Sequence, residues 1–110
     1  MISIVTGTLN RKNLLPGLIE NTVGKALHTP GHTPGSMCFL FDSQKLLIAG
    51  DTLFQGSIGR TDLWGGDYSK IEQSIQGELY TLDEATNVVT GHGDPTTIGR
   101  EMRSNNFVRA

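Results

Sequence analysis

Two short apolar runs constrain this chain more than any other feature: SMCFLF (Ser36–Phe41) and KLLIAG (Lys45–Gly50), separated by DSQ. Each run is too short for a stable helix and rich in aliphatic or aromatic side chains. The connector is hairpin-length and made of turn residues. A β-hairpin is therefore the expected centre of the fold, and the remaining elements must pack on it.

The segment before the hairpin, HTPGHTPGS (His28–Ser36), places two histidines four residues apart, each followed by Thr-Pro-Gly. On a helix that spacing would aim both imidazoles at one ion. Pro30 and Pro34 forbid a helix interior here, and Gly31 and Gly35 punctuate the run, so it reads as a loop. A short strand ending at Leu27 precedes it. Further upstream, ISIV (Ile2–Val5) reads as a strand and NRKNLLPGLIEN (Asn10–Asn21) as a loop broken by Pro16 and Gly17.

After the hairpin, Gly50 to Asp67 reads as one long glycine-rich loop, of a length that is usually functional or disordered. Ile71, Ile75 and Leu79 then recur at helical spacing, with Ser69 and Glu72 matching a capping box and Asp67 a competing cap. NVVT (Asn87–Thr90) reads as a strand, and Thr97 is placed to cap a last helix from Ile98 to about Ser104. The fold class is accordingly α+β or α/β, a β-hairpin sheet with two helices.

Composition excludes several function classes. Nine basic and eleven acidic residues leave a net charge of −2, and no Lys/Arg cluster is long enough to follow a phosphate backbone, so no nucleic-acid partner is expected. No apolar run approaches the ~18–20 residues of a membrane span. MISIVTGTLNRK lacks the basic-then-apolar order of a signal peptide, and the single Cys38 forms no internal disulfide, which together predict a cytoplasmic location. Cys38, inside an apolar strand, reads as a small core residue.

Each polar cluster follows a strand: His32 after KAL, Asp51 after KLLIA, His92 after NVVT. Groups that leave the carboxyl ends of strands converge on one sheet edge, where ligands bind in α/β folds. Two imidazoles and a carboxylate suit Zn²⁺, Fe²⁺ or Mn²⁺. The alternative for each, taken alone, is an ordinary polar loop residue. Arg60 and Asp62 lie in the long loop, where a pair bracing that loop competes with a substrate contact by Arg60.

Four motifs in order, HTPGHTPGS, AGDTLF, GSIGRTDL and TGHGDPTTIG, resemble the metallo-β-lactamase superfamily, and within it the glyoxalase II-like branch of hydroxyacylglutathione hydrolases. The resemblance runs from about Lys25 to the C-terminus and leaves residues 1–24 as a divergent segment. It implies the C-terminal half, residues 25–110, of a four-layer αβ/βα sandwich. It further implies that His32 and His92 each bind one of two metal ions and that Asp51 bridges them as the central catalytic residue, with His28 a hydrogen-bonding residue outside the ligand set. The activity implied is metal-assisted hydrolysis of a small-molecule thioester, with zinc, or iron or manganese, as the cofactor.

The departures are specific. The family's earlier His-x-His-x-Asp-His motif supplies four further ligands, and no such motif occurs among this chain's three histidines. Trp64 stands where relatives carry proline. Each ion would have two donors from this chain, where a catalytic zinc normally has three. An inactive half-domain that acts by binding or oligomerisation is therefore the competing expectation. With the other half of the sandwich missing, the hairpin would also leave an apolar face open, so a homo-oligomer, or another partner on the sheet, is expected.

Overall fold

The computed structural model describes residues 24–110. The strand expected at Ile2–Val5, the loop over Asn10–Asn21 and most of segment 1–24 lie outside the described residues.

The expected hairpin forms the middle of a five-stranded sheet. β1 (Lys25–His28) pairs antiparallel with the first hairpin strand, β2 (Met37–Phe41). The DSQ connector forms a 3₁₀ turn, and Lys45 leaves it in the left-handed region with φ 50°. That is why the second hairpin strand, β3, spans Leu46–Gly50 and does not include Lys45. The segment Gly50–Asp67 departs from the expected structureless loop: it contains a tight hairpin, β4 (Leu53–Phe54) and β5 (Ser57–Ile58). Gly56 supplies the positive φ of 73° at the tip of this hairpin, and Glu101 and Asn106 bond that tip. β6 (Asn87–Thr90) returns to the main sheet parallel to β3, and the two-residue β7 (Thr96–Thr97) closes the far edge against β6. The strand order of the main sheet is β1-β2-β3-β6-β7.

Helix α1 (Tyr68–Ser74) continues into a single π-helical turn, Ile75–Leu79. Its cap is Asp67, whose carboxylate accepts from Lys70 N at 3.1 Å; Ser69 lies inside the first turn and caps nothing. Helix α2 (Ile98–Ser104) is capped by Thr97, which accepts from Arg100 N at 3.2 Å.

Pleating sorts the side chains by face. Cys38, Leu40, Leu47, Ala49 and Val88 point inward to a core completed by Ile71, Ile75, Leu79 and Ile98 from the helices. On the opposite face Phe41 and Ile48 are buried, Phe39 and Leu46 half-buried, and Val89 exposed. Cys38 sits in the inner layer, where burial pushes its thiol up in pKa.

Candidate metal centre

β1, β3 and β6 run in the same direction, because β1 and β3 are each antiparallel to β2 and β6 is parallel to β3. Their carboxyl ends share one edge. The chain leaves β1 into the turn that carries His32, β3 into Asp51, and β6 into the loop that carries His92. Gly91 N donates to Gly50 O at 2.7 Å, which holds the last two exits side by side. The buried Thr29 hydroxyl lies 3.2 Å from that of Thr52, which links the His32 turn to the Asp51 turn.

The three side chains converge with a definite polarity. Asp51 Oδ2 faces His32 Nε2 at 3.8 Å, and Asp51 Oδ1 faces His92 Nε2 at 3.5 Å. Both separations are longer than a charge-assisted hydrogen bond. They are close to the ~3.4 Å that separates two donors held at ~2.0–2.2 Å around one tetrahedral ion. His32 Nδ1 lies 2.8 Å from Arg60 O, and a carbonyl only accepts, so Nδ1 donates there and Nε2 is the nitrogen that faces Asp51. A backbone carbonyl behind a ligating imidazole is the usual support in metal sites. His28 turns away, donating from Nε2 to Pro34 O at 2.8 Å.

His32 and Asp51 are recessed, with side-chain exposures of 22% and 26%, whereas the His92 side chain is 81% exposed. His92 is steadied by Phe54, whose ring meets it edge-on at a centroid distance of 5.8 Å. The Thr90 hydroxyl donates to His92 O at 2.7 Å and folds the loop back on itself. Two glycines make room for Asp51. A Cβ on Gly91 would lie 2.5 Å from Asp51 Oδ1, and one on Gly59 would collide with the Asp51 carbonyl.

The three side chains open on a cleft of about 290 Å³. Phe54 and Ile58 form its apolar wall, with Ser57 beside them and Arg60 at the rim. Arg60 makes a two-pronged pair with Asp62, at 2.8 and 3.0 Å, and this hydrogen-bonded pairing holds the Asp62 carboxyl below the usual carboxylate range. Sequence reasoning missed Phe54 and Ile58 as site walls. The only local signal is the turn pair Gln55-Gly56 between Leu53-Phe54 and Ser57-Ile58, within a stretch otherwise read as loop.

The donor set fits part of a metal centre. Among the described residues no group of three or more His, Cys, Asp or Glu side chains is placed to hold one ion. The two histidines lie off different oxygens of a single carboxylate, so the trio offers two positions, each with one nitrogen and one oxygen. It does not close around one ion, and each position has two donors where three are normal for catalytic zinc.

A mixed sheet with its helices on one face and an imidazole–carboxylate–imidazole cleft at its strand ends defines an α/β half-sandwich. The chain belongs to the metallo-beta-lactamase superfamily, whose family profile matches residues 10–92. It is 48% identical over 84 residues to the hydroxyacylglutathione hydrolase GloC of Haemophilus influenzae, covering 76% of this chain and 40% of GloC. It is 46% identical over 100 residues to the probable metallo-hydrolase YqgX of Bacillus subtilis, covering 87% of this chain and 47% of YqgX. Among solved structures it is similar to TTHA1623 in a di-iron-bound form, with 41% identity and a TM-score of 0.74, covering 77% of this chain and 42% of that one. The chain thus spans less than half the length of these relatives. Among the described residues no helix is long and apolar enough to cross a membrane.

Proposed function

We propose that His32, Asp51 and His92 are one side of a two-metal hydrolase centre, and that the complete centre cleaves a thioester of the hydroxyacylglutathione type. The observation that carries this reading is the division of Asp51, with one carboxylate oxygen toward each imidazole. His32 would serve one ion, His92 the other, and Asp51 both. Zinc, iron or manganese suits these donors, and the di-iron form of TTHA1623 supports iron. Bound there, the ions would polarise the scissile carbonyl and make a nucleophile of water at neutral pH.

The residues of the chain do the rest. The Arg60 carbonyl fixes the His32 tautomer, Gly59 and Gly91 leave space for Asp51, and Phe54 with Ile58 offers an apolar wall to the acyl group. The name of GloC supports the thioester class. Arg60 is already paired through Nε and Nη2 with Asp62, so we assign it to bracing the loop, not to holding substrate.

A second reading rests on the donor count. Two donors per ion favour an inactive half-domain that binds or oligomerises. Titrating the purified chain with Zn²⁺, Fe²⁺ or Mn²⁺ beside S-lactoylglutathione turnover separates the two. The hydrolase reading expects metal uptake that disappears in Asp51→Ala and His32→Ala and persists in His28→Ala. It also expects turnover to be very slow from this chain alone. Metal uptake indifferent to Asp51 would overturn the site and leave the binding module.

A further inference from the structure

The exposed His92 meets Phe54 of the β4–β5 hairpin, and that hairpin and the strand that follows the His92 loop both bond to one buried side chain, Glu101 on α2. Glu101 is fully buried. Its Oε1 accepts from Gly56 N at 2.8 Å and from Asn105 Nδ2 at 2.9 Å, and its Oε2 accepts from the Thr96 hydroxyl at 2.6 Å. These donors come from three segments. Gly56 is the tip of the β4–β5 hairpin, Thr96 begins β7 directly after the His92 loop, and Asn105 follows α2.

Three further side-chain bonds fasten the same hairpin, beside the backbone bond Asn106 N to Gly56 O at 3.3 Å: Asn105 Nδ2 donates to Ser57 O at 3.0 Å, Asn106 Nδ2 to Gly56 O at 3.0 Å, and Gln55 Nε2 to Pro95 O at 3.3 Å. The last bond joins the hairpin to the His92 loop itself. Phe54, two residues before the Gly56 tip, is the ring that meets His92. A carboxyl group taken out of water is costly unless its lone pairs are filled. Here they are filled by donors from the hairpin, from the loop's return strand and from Asn105 at the end of α2. A core position could have been filled by an aliphatic residue at less desolvation cost, so what Glu101 contributes is registration of those segments.

We propose that Glu101 is a positioning residue for the cleft: it locks the β4–β5 hairpin to the return strand of the His92 loop, and so keeps Phe54 against His92 and His92 opposite Asp51. Its importance for metal rests on the reading of His92 as a ligand. Its effect on geometry does not, and the test reads the two separately.

In the full chain without added metal, NMR should show cross-relaxation between the Phe54 ring and the His92 imidazole. That contact should be lost in Glu101→Ala. It should survive in Glu101→Gln, whose amide oxygen can accept from Gly56 and Asn105 while its NH₂ donates to the Thr96 hydroxyl. It should also survive in Ile75→Ala, a core truncation that lowers stability and leaves every hydrogen-bond partner of Glu101 in place. Glu101→Asp, which pulls the carboxylate back by about 1.5 Å, should lose the contact and serves if Glu101→Ala does not fold. Zn²⁺ affinity, measured by chelator competition, should fall by ~10-fold or more in Glu101→Ala or Glu101→Asp, as for other residues that support a ligand, and hold in Glu101→Gln and Ile75→Ala. A Phe54–His92 contact that persists in Glu101→Asp and in any folded Glu101→Ala would overturn the proposal, leaving Glu101 as a contributor to stability only. If the wild-type chain takes no Zn²⁺, the metal reading fails while the NMR comparison still decides the role of Glu101.

Discussion

At the scale of single residues, Asp51 is placed by what is absent around it. Gly91 and Gly59 lie where a methyl group would strike its carboxylate or its carbonyl. A methyl group on Gly35, by contrast, would meet nothing within 4 Å. Gly91→Ala should therefore push Asp51 off its position between the imidazoles and cost about 1–3 kcal/mol, the usual range for overpacking. Gly35→Ala should be neutral within about 0.5 kcal/mol. Urea unfolding of the two variants checks the difference, and equal stability would show that the Asp51 turn yields freely. The sequence made the glycine-flanked turns visible, and with them His32, Asp51 and His92 as candidates. It did not make their separate facings visible. Whether two imidazoles share one carboxylate oxygen or take one each depends on side-chain angles fixed by Arg60 O behind His32 and Phe54 beside His92. Both of those contacts are long-range.

At the scale of elements, strands and caps were legible because their causes are local. The central hairpin follows from two apolar runs and a short connector, and α2 begins where Thr97 can cap it. The start of α1 shows where local reading divides. Ser69–Glu72 and Asp67 are both acceptable caps in sequence, and the structure uses Asp67 because its backbone N–H is held by Gly31 O at 2.7 Å, which fixes how the chain enters the helix. Asp67→Ala should thus cost about 1 kcal/mol, whereas Ser69→Ala, exposed and inside the first turn, should stay within about 0.5 kcal/mol. Chemical denaturation measures both, and a larger loss for Ser69→Ala would return the cap to the capping box. The β4–β5 hairpin was not legible for a tertiary reason: its strands are two residues each, too short to stand without Glu101, Asn105 and Asn106. The signal that α2 supports it is a carboxylate in its buried stripe, Ile98, Glu101, Met102 and Asn105, at the i, i+3, i+4 and i+7 positions of one face.

At the scale of the whole molecule, two deficits coincide. The described residues give each proposed metal position two donors, and the sheet face opposite the helices carries half-buried Phe39 and Leu46 beside Val89 at 43% exposure. A second copy of the chain packed on that face would shield it. At ~25 cal/mol per Å², covering the roughly 300 Å² that these side chains leave open on two copies contributes on the order of 8 kcal/mol gross. Association costs of roughly 4–15 kcal/mol oppose it, so self-association is expected to be weak and reversible, with a paired fraction that grows through the micromolar range. A two-fold pair is the simplest closed arrangement. Light scattering on the purified chain should report a mass above the 11.9 kDa of one copy. Substituting Val89→Lys on the exposed part of the face should return the mass to that of one copy, because a charge buried in an apolar contact is strongly disfavoured. If donors from two copies complete the metal positions, Zn²⁺ affinity should also rise with chain concentration and lose that dependence in Val89→Lys. A monomeric mass throughout the micromolar range, with cooperative unfolding and concentration-independent Zn²⁺ binding, would overturn self-association and mean that the face needs no second copy.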